Sequence, residues 1–505
     1  MKSIAIIGAG VGGCTTYLFL QKHVVPHIPN IKIHIYEAYP APPYLSKSTP
    51  STRSPTHTIN PEERPNLYST PATNVTTATG GFLSFSPNGI RVLKSLDPEI
   101  YARIQAYSIE VDVFAFQISS GRMLGNFSSG GKERYGHGTF MINRAALHDA
   151  VLEKVRHEDI SFGRKVARVV DGEKIVRVEF EDGGSVEADL VVGADGVWGK
   201  TKDAIEECRG LTAEYDGLVG IGGFLDEKTT RNLLDKLQSN KDLVIPKNAV
   251  TMTFGSGAFF GTVIDLDRLD KPTSKDGSYE NGDVEHDIPF AAWWSTFPME
   301  PAPTSRTPFS EVKEKVLEKH KGWTPLITAL IEASGFDERK GSTLVLPRWI
   351  TPTLPKWTSD SGRILLMGDT AHCMPPDSGQ GASCAVEDAM TIGLLCEALF
   401  SDLKASESSE SEKLKQLCDL YTKIRKPRCE YIVAEARKRG DLKRDMGWLE
   451  QTIRNVVMFA LCKVMPESAM DGFFSWDTET EVKKALKGEV PAVKGKGKVI
   501  TAAEK

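Results

Sequence analysis

The chain lacks most of what would mark a secreted or membrane-spanning protein. Its eight cysteines among 505 residues are scattered, with no close pair spaced for a redox dithiol or a zinc knuckle, so neither a disulfide framework nor a metal site is expected. No apolar run approaches the roughly 18 residues of a membrane span. The most tempting segment, residues 456–462, is flanked by Arg454 and Lys463. The first residues lack the apolar core and cleavage site of a signal peptide, because residues 4–7 run directly into glycines. A cytoplasmic protein is the resulting expectation, with peripheral membrane contact left open. Charge of one sign is also missing. With a net charge of −5 and 26% charged residues, no basic footprint for nucleic acid stands out. There is no internal repeat.

What is present lies at two distant places. Gly8-Ala-Gly10-Val-Gly12-Gly13 follows the apolar run 4–7 and precedes a helical pattern over 11–23. Gly8, Gly10 and Gly13 occupy a G-x-G-x-x-G spacing, in which the first glycine turns the chain, the second admits a pyrophosphate and the third lets helix and strand approach. Amides at the helix start favour phosphate charge. A second strand over 31–36 ends at Glu37, placed to accept hydrogen bonds from a ribose diol. That acid disfavours a 2′-phosphorylated nucleotide here and leaves NAD and FAD open. Cys14, just inside the helix, reads as buried packing.

The second place is Gly368-Asp369-Thr-Ala-His372-Cys-Met-Pro375-Pro376-Asp377-Ser-Gly379-Gln380-Gly381. Asp369 follows a strand over 364–367, where its carboxylate can meet hydroxyls of a chain such as ribitol. Pro375–Gly381 can then turn into a helix whose amides face an electron-rich ring carbonyl. The two places together suit one long cofactor gripped at both ends.

Between them the pattern implies a Rossmann-like α/β cofactor domain made of 1–205 and 341–400, with a Pro/Ser/Thr-rich excursion at 40–79. An inserted sheet domain of α+β character is expected over 206–340, a helical region over 413–475 and a tail over 476–505. A helix should open at Ser86-Pro87, a hairpin should turn near 119–122, and another helix should begin at Arg144. The sheet domain is rich in aromatics, and Trp293, Trp294 and Phe297 are the substrate-pocket candidates. Alternating residues of one strand cannot all face one cavity. Leu449, Ile453, Val456, Val457, Ala460, Leu461, Val464 and Met465 share one helical face. That face is expected to cover the core or close the substrate entrance, with a membrane surface or a partner as the alternatives.

Three blocks then acquire a joint meaning: the glycine fingerprint, Gly193-Ala-Asp195-Gly196-Val-Trp-Gly-Lys-Thr, and Gly368 to Gly381. Together, over roughly residues 1–400, they resemble the conserved regions of class A flavoprotein monooxygenases, the para-hydroxybenzoate hydroxylase-like family. The 40–79 excursion and long C-terminal region are more similar to its fungal secondary-metabolite members. The resemblance implies noncovalent FAD, with Glu37 at the adenosine ribose and Arg144 near the phosphates and sugar. It further implies Asp195 in FAD and nicotinamide binding, Asp369 at the ribitol, and Pro375, Gly379 and Gly381 beside the isoalloxazine. The second block departs from the family at Lys200–Lys202, where Ser and Arg are common, so the nicotinamide preference is open. His372 reads as structural and Asp377 as a polar loop residue; no catalytic side chain is singled out.

The implied reaction is FAD-dependent and driven by NADPH or NADH, with molecular oxygen as co-substrate and a C4a-hydroperoxyflavin as the oxygen donor. It would hydroxylate or epoxidise a bulky hydrophobic aromatic, polyketide, alkaloid or terpenoid, with Baeyer–Villiger chemistry also open. Two other readings stand at this point: a flavin dehydrogenase or oxidase without oxygen insertion, and a non-enzymatic flavoprotein-like scaffold.

Overall fold

The computed structural model describes residues 1–28, 30–42, 82–237, 244–270, 289–304, 307–336, 343–401, 409–441, 443 and 446–495. From residue 43 onward the expected 40–79 excursion lies outside the described residues.

Short strands of two to five residues make a parallel five-stranded sheet, with central strands as apolar as expected where both faces are covered. Its order is Ile364–Leu366, Leu190–Gly193, Ser3–Ile7, Lys32–Tyr36 and Ile160–Ser161. Ile4 pairs with Leu190 on one side and Ile33 on the other, and Val192 pairs with Leu365. Helix Val11–His23 packs on helix Gly381–Phe400 so closely that a Cβ at Gly393 would lie 2.8 Å from Cβ of Phe19. Cys14 is buried there and burial pushes its thiol pKa up, as its packing role requires.

A small antiparallel sheet of Phe82–Phe85, Thr139–Asn143 and Ser108–Val111 separates this layer from a seven-stranded sheet. The order of the large sheet is Thr343–Ile350, Glu214–Leu225, Ala291–Pro298, Phe259–Ile264, Ala249–Phe254, Val113–Ile118 and Met123–Ser128. It is therefore wider than the 206–340 segment expected to hold it. The hairpin expected over 107–128 spans 113–128 and joins through parallel pairing of Val250 with Phe114, while 108–111 pairs in the small sheet and 343–350 joins at the other edge. Both additions come from strands distant in sequence, so local pattern gave no sign of them. Helices Glu227–Leu237, Phe309–Lys319 and Pro325–Ala333 cover one face, where Ile221, Phe260, Trp293, Val312, Val316 and Leu330 form a dry core.

Helix Glu410–Asp441 lies on Gly381–Phe400. The expected tail is corrected in part: Thr478–Leu486 is a helix, capped by Asp477, with Trp476, Val482 and Ala485 buried against the cofactor-domain core. Helix Trp448–Val464 overturns a second expectation. Leu449, Ile453, Val456, Val457, Leu461 and Val464 are exposed, while Gln451, Asn455, Met458 and Cys462 are half-buried and Arg454 is buried. The spacing identified a shared face correctly; that face points away from the protein. No helix of the described residues is long and apolar enough to cross a membrane.

Candidate functional site

Three neighbouring parallel strands, Ser3–Ile7, Leu190–Gly193 and Ile364–Leu366, all run into glycine turns, so residues 8–13, 194–199 and 367–372 gather at one edge of the sheet. The carboxyl edge of such a sheet is where ligands bind in doubly wound folds.

In the first turn each glycine has a separate reason. Gly8 has φ 104°, and a Cβ there would lie 2.4 Å from the Ala194 carbonyl oxygen. A Cβ at Gly13 would lie 2.0 Å from the Gly8 carbonyl oxygen, which makes it the helix–strand contact. Gly10 is exposed and a Cβ would meet nothing within 4 Å. The protein's own packing does not require that glycine, but a ligand lying against the backbone would. Glu37 accepts from Ala9 N at 2.6 Å and from Tyr39 N at 2.9 Å, bracing the turn while remaining half-exposed. His148 Nε2 lies 2.6 Å from the Ala9 carbonyl oxygen. It sits on helix Arg144–Leu152, whose first residue, Arg144, is exposed one turn away.

The second turn is held by Asp195. One carboxylate oxygen accepts from Thr201 N and Oγ1, both at 2.9 Å, and the other accepts from Thr370 Oγ1 at 3.2 Å. Burial raises its pKa, and the threonine bonds pull it back. Asp195 thus ties its own turn to the third one. Lys202 is buried beside Asp203 at 3.1 Å, whereas Lys200 is exposed. In the third turn Asp369 is exposed and accepts no hydrogen bond from the described residues. Farther along, Pro375 is buried, and Gly379, at φ 63°, lies against Ser84, where a Cβ would be 3.0 Å from Oγ. Gly381 opens its helix with no protein atom nearer than 4.0 Å to such a Cβ.

Behind the third turn lies a buried ionic network that sequence reading missed. Asp388 accepts from Gly368 N at 2.9 Å and from Arg425 Nε at 2.7 Å, and lies 2.6 Å from His372 Nε2. Arg425 also pairs with Glu387 at 2.7 Å. Burial alone would lower the His372 pKa, but Asp388 reverses that and leaves it raised. Burial would raise the Asp388 carboxyl, but His372 and Arg425 bring it below its ordinary value. His372, Asp388 and Cys429 offer ligand atoms within 4.8 Å of one another, yet Arg425 already supplies the cation there. Glu387 accepts from Asn88 at 2.6 Å, and Asn88 donates to Gln380 at 3.0 Å, which links the network to the 375–381 turn. Two adjacent acids, Glu387 and Asp388, in the middle of a mostly apolar helix were the available signal.

The face of the large sheet opposite the helices packs on the small antiparallel sheet, with Ile109, Val111 and Met141 against Phe224, Val250 and Val263. Pairing of Gly261 with Trp294 places Met252, Phe254, Phe259, Trp294 and Phe224 on that face. Trp294 is half-buried, and a Cβ at Gly261 would lie 2.3 Å from its ring. Of the three pocket candidates, only Trp294 lies on this face. Trp293 stacks on Phe260 at 5.2 Å and donates to Ser334 Oγ at 2.7 Å, and Phe297 packs near His320, both beneath the helices. Period-two alternation separates them. Where the face meets the 375–381 turn, Arg348 donates to Asp377 at 2.7 Å and to Asp216 at 2.6 Å, and Lys443 lies 2.7 Å from Asp377. Asp377 was expected to be only a polar loop residue. It is instead the centre of a buried charge cluster, because Arg348 approaches from the sheet edge and Lys443 from beyond the long helix.

Residues 328–436 match the family described as the FAD binding domain. The chain is 24% identical over 386 residues to the FAD-dependent monooxygenase pigN of Monascus ruber, covering 72% of this chain and 78% of that protein. It is 27% identical over 300 residues to a chloroplastic zeaxanthin epoxidase of an Oncidium hybrid cultivar, covering 59% of this chain but only 38% of the epoxidase. Among solved structures, Klebsiella pneumoniae HpxO complexed with FAD and uric acid superposes with a TM-score of 0.63 at 18% identity. That match covers 91% of this chain and 92% of HpxO.

Proposed function

We propose that this chain, similar to FAD-dependent monooxygenases of the para-hydroxybenzoate hydroxylase-like class, inserts one oxygen atom into a bulky hydrophobic substrate at the expense of NADPH or NADH. The observation that carries the cofactor reading is the gathering of three glycine turns at one sheet edge, with open space at Gly10 and a free carboxylate at Asp369. These groups fit the two ends of FAD. Glu37 would hold the adenosine ribose, and the amides around Gly10, with Arg144 nearby, would hold the diphosphate. Asp369 would accept from the ribitol hydroxyls, and Pro375, Gly379 and Gly381 would shape the surface beside the ring. Asp195 serves this site by locking two turns together.

FAD, once bound, supplies hydride acceptance from the nicotinamide and activation of oxygen. The chain's own contribution is orientation and exclusion of water. Trp294 and Met252, half-buried with Phe224, Phe254 and Phe259 packed around them, give an apolar wall, which favours an aromatic, polyketide, alkaloid or terpenoid substrate over a small acid. Asp216, Arg348, Asp377 and Lys443 neutralise one another at its border. Hydroxylation or epoxidation is favoured by the similarity to a named monooxygenase and a named epoxidase. A cytoplasmic setting belongs to the same proposal.

The test is turnover of candidate metabolites with NAD(P)H under isotopically labelled dioxygen. One labelled oxygen atom in the product is expected. Product oxidised by two electrons without label, under conditions that prevent exchange, would replace the monooxygenase reading with a dehydrogenase or oxidase.

A further inference from the structure

Helix Trp448–Val464 inverts the usual order of a surface helix. Its row turned toward the protein is Gln451, Arg454, Asn455, Met458 and Cys462, whereas Trp448, Leu449, Ile453, Val456, Val457, Phe459, Leu461 and Val464 face outward. Exposure runs the whole length, from 79% at Trp448 through 62% at Val456 to 73% at Val464. The helix is held at close range: a Cβ at Gly125 would lie 2.6 Å from Cβ of Cys462, and the Arg454 guanidinium sits 5.2 Å over the Phe254 ring. It is a fixed ridge with its apolar side outward.

We propose that this ridge seats the enzyme on an anionic lipid surface, with the helix lying in the plane of the headgroups. Three observations choose lipid over a second copy of the chain. The first is charge. At the C-terminal end of the ridge the outward cation Lys463 lies 4.5 Å over the Phe459 ring, while at the far end the exposed Glu450 carboxylate accepts from Gly447 N at 3.0 Å. The C-terminal end of the ridge thus offers a cation to headgroups, about 20 Å from the only exposed acid of the helix. The second is area. A helix of 17 residues is about 25 Å long and 10 Å wide, so half its surface is on the order of 400 Å². That is roughly half the 800 Å² per partner that a stable protein interface buries. A shallow interfacial helix with Trp and aliphatic side chains on one side needs no more than this.

The third is continuity. Behind Arg454, Phe254 touches Phe259 at 5.2 Å between ring centroids, and Phe259 lies 6.2 Å from Trp294. The docking ridge therefore backs onto the apolar wall of the large sheet, and a lipid-dissolved molecule would meet that wall beside its point of arrival. Docking itself does not depend on the monooxygenase reading.

The experiment is flotation of the full FAD-loaded chain with vesicles of phosphatidylcholine mixed with phosphatidylglycerol, and with phosphatidylcholine alone. Flotation with the mixed vesicles, weaker with the neutral ones, is expected. Ile453→Glu with Val456→Glu should reduce it roughly tenfold or more, while Val490→Glu, at a still more exposed apolar position outside the helix, should leave it unchanged. Flavin absorbance reports whether the double variant is folded. If it is not, the unaltered chain still answers: mixed vesicles should shift tryptophan emission to the blue, and the shift should shrink in Trp448→Phe. Absence of flotation and of that shift would overturn the proposal. So would equal loss of flotation in Val490→Glu, or a dimer in solution that the double variant converts to monomer without any vesicle binding.

Discussion

On the helix-covered face of the large sheet, Trp293 is fully buried, stacked on Phe260 and satisfied by Ser334. On the opposite face, Trp294 is half-buried, lies across Gly261, and shares its surface with Phe254, Phe259 and, at the border, the Arg348–Asp377 pair. The residues are adjacent and chemically identical. The strand's alternation sends one into a dry core beneath the helices, where loss is paid in stability, and the other to the face shared with the small sheet, where it stays half-buried. Composition alone cannot distinguish these uses.

The comparison breaks most visibly at Trp293. Trp293→Ala should cost about 4 kcal/mol of stability through the cavity it leaves, read as a fall in thermal midpoint, while the flavin content of the folded fraction stays unchanged. A variant that instead kept its midpoint and lost flavin would reverse the assignment of the two faces.

Next in size is Asp377→Asn, which leaves Arg348 and Lys443 facing a neutral amide. Removing one member of a buried ionic cluster should cost about 3 kcal/mol, and because Asp377 lies in the turn beside the proposed ring position, flavin absorbance should shift as well. A stability loss with an unchanged flavin spectrum would make the cluster purely a brace.

The covered face also predicts a pH signature. Burial lowers His320 to about 4 from an ordinary 6.5, against a raising contribution from its bond to the Val316 carbonyl. The unfolded chain then binds a proton below pH 6.5 that the native state refuses until about 4, so stability falls as pH drops through that window. The His320 share reaches about 2 kcal/mol near pH 5. His320→Gln should flatten that part of the acid limb, measured by urea midpoints across pH. His137, also lowered to about 4 by burial, and His34, lowered by burial too, contribute to the part that remains.

The smallest effect belongs to Trp294. Trp294→Ala should change stability by only about 1 kcal/mol, because a half-buried ring loses less contact, yet weaken substrate binding about tenfold. Unaltered substrate affinity, measured by the substrate-induced flavin difference spectrum, would remove Trp294 from the wall.

What was legible in the sequence was local. Gly8, Gly10 and Gly13, Glu37 and the strand ends at 193 and 367 sit within short stretches whose spacing dictates their geometry. The unread parts depend on contacts across the chain. Arg348 and Asp377 are 29 residues apart and Asp388 and Arg425 are 37 apart, and no periodicity joins them. The pairing of 113–118 with 249–254 was invisible for the same reason. Helix 448–464 failed differently. Its three- and four-residue spacing told which residues share a face, but only packing on the Met123–Ser128 strand determines which way that face looks. Helix Thr478–Leu486 had a readable signal, Asp477 before Val482 and Ala485, that the flanking lysines and glycines obscured.

The central claim is that a long flavin cofactor lies across the gathered turns, against the backbone at Gly10. Flavin stoichiometry in Gly10→Val tests it directly, because the protein leaves open space where that side chain would begin and the backbone there, at φ −66°, suits any residue. A folded protein that has lost its yellow FAD, by absorbance after purification with excess cofactor, is the predicted result. Full flavin occupancy in the same variant would contradict it.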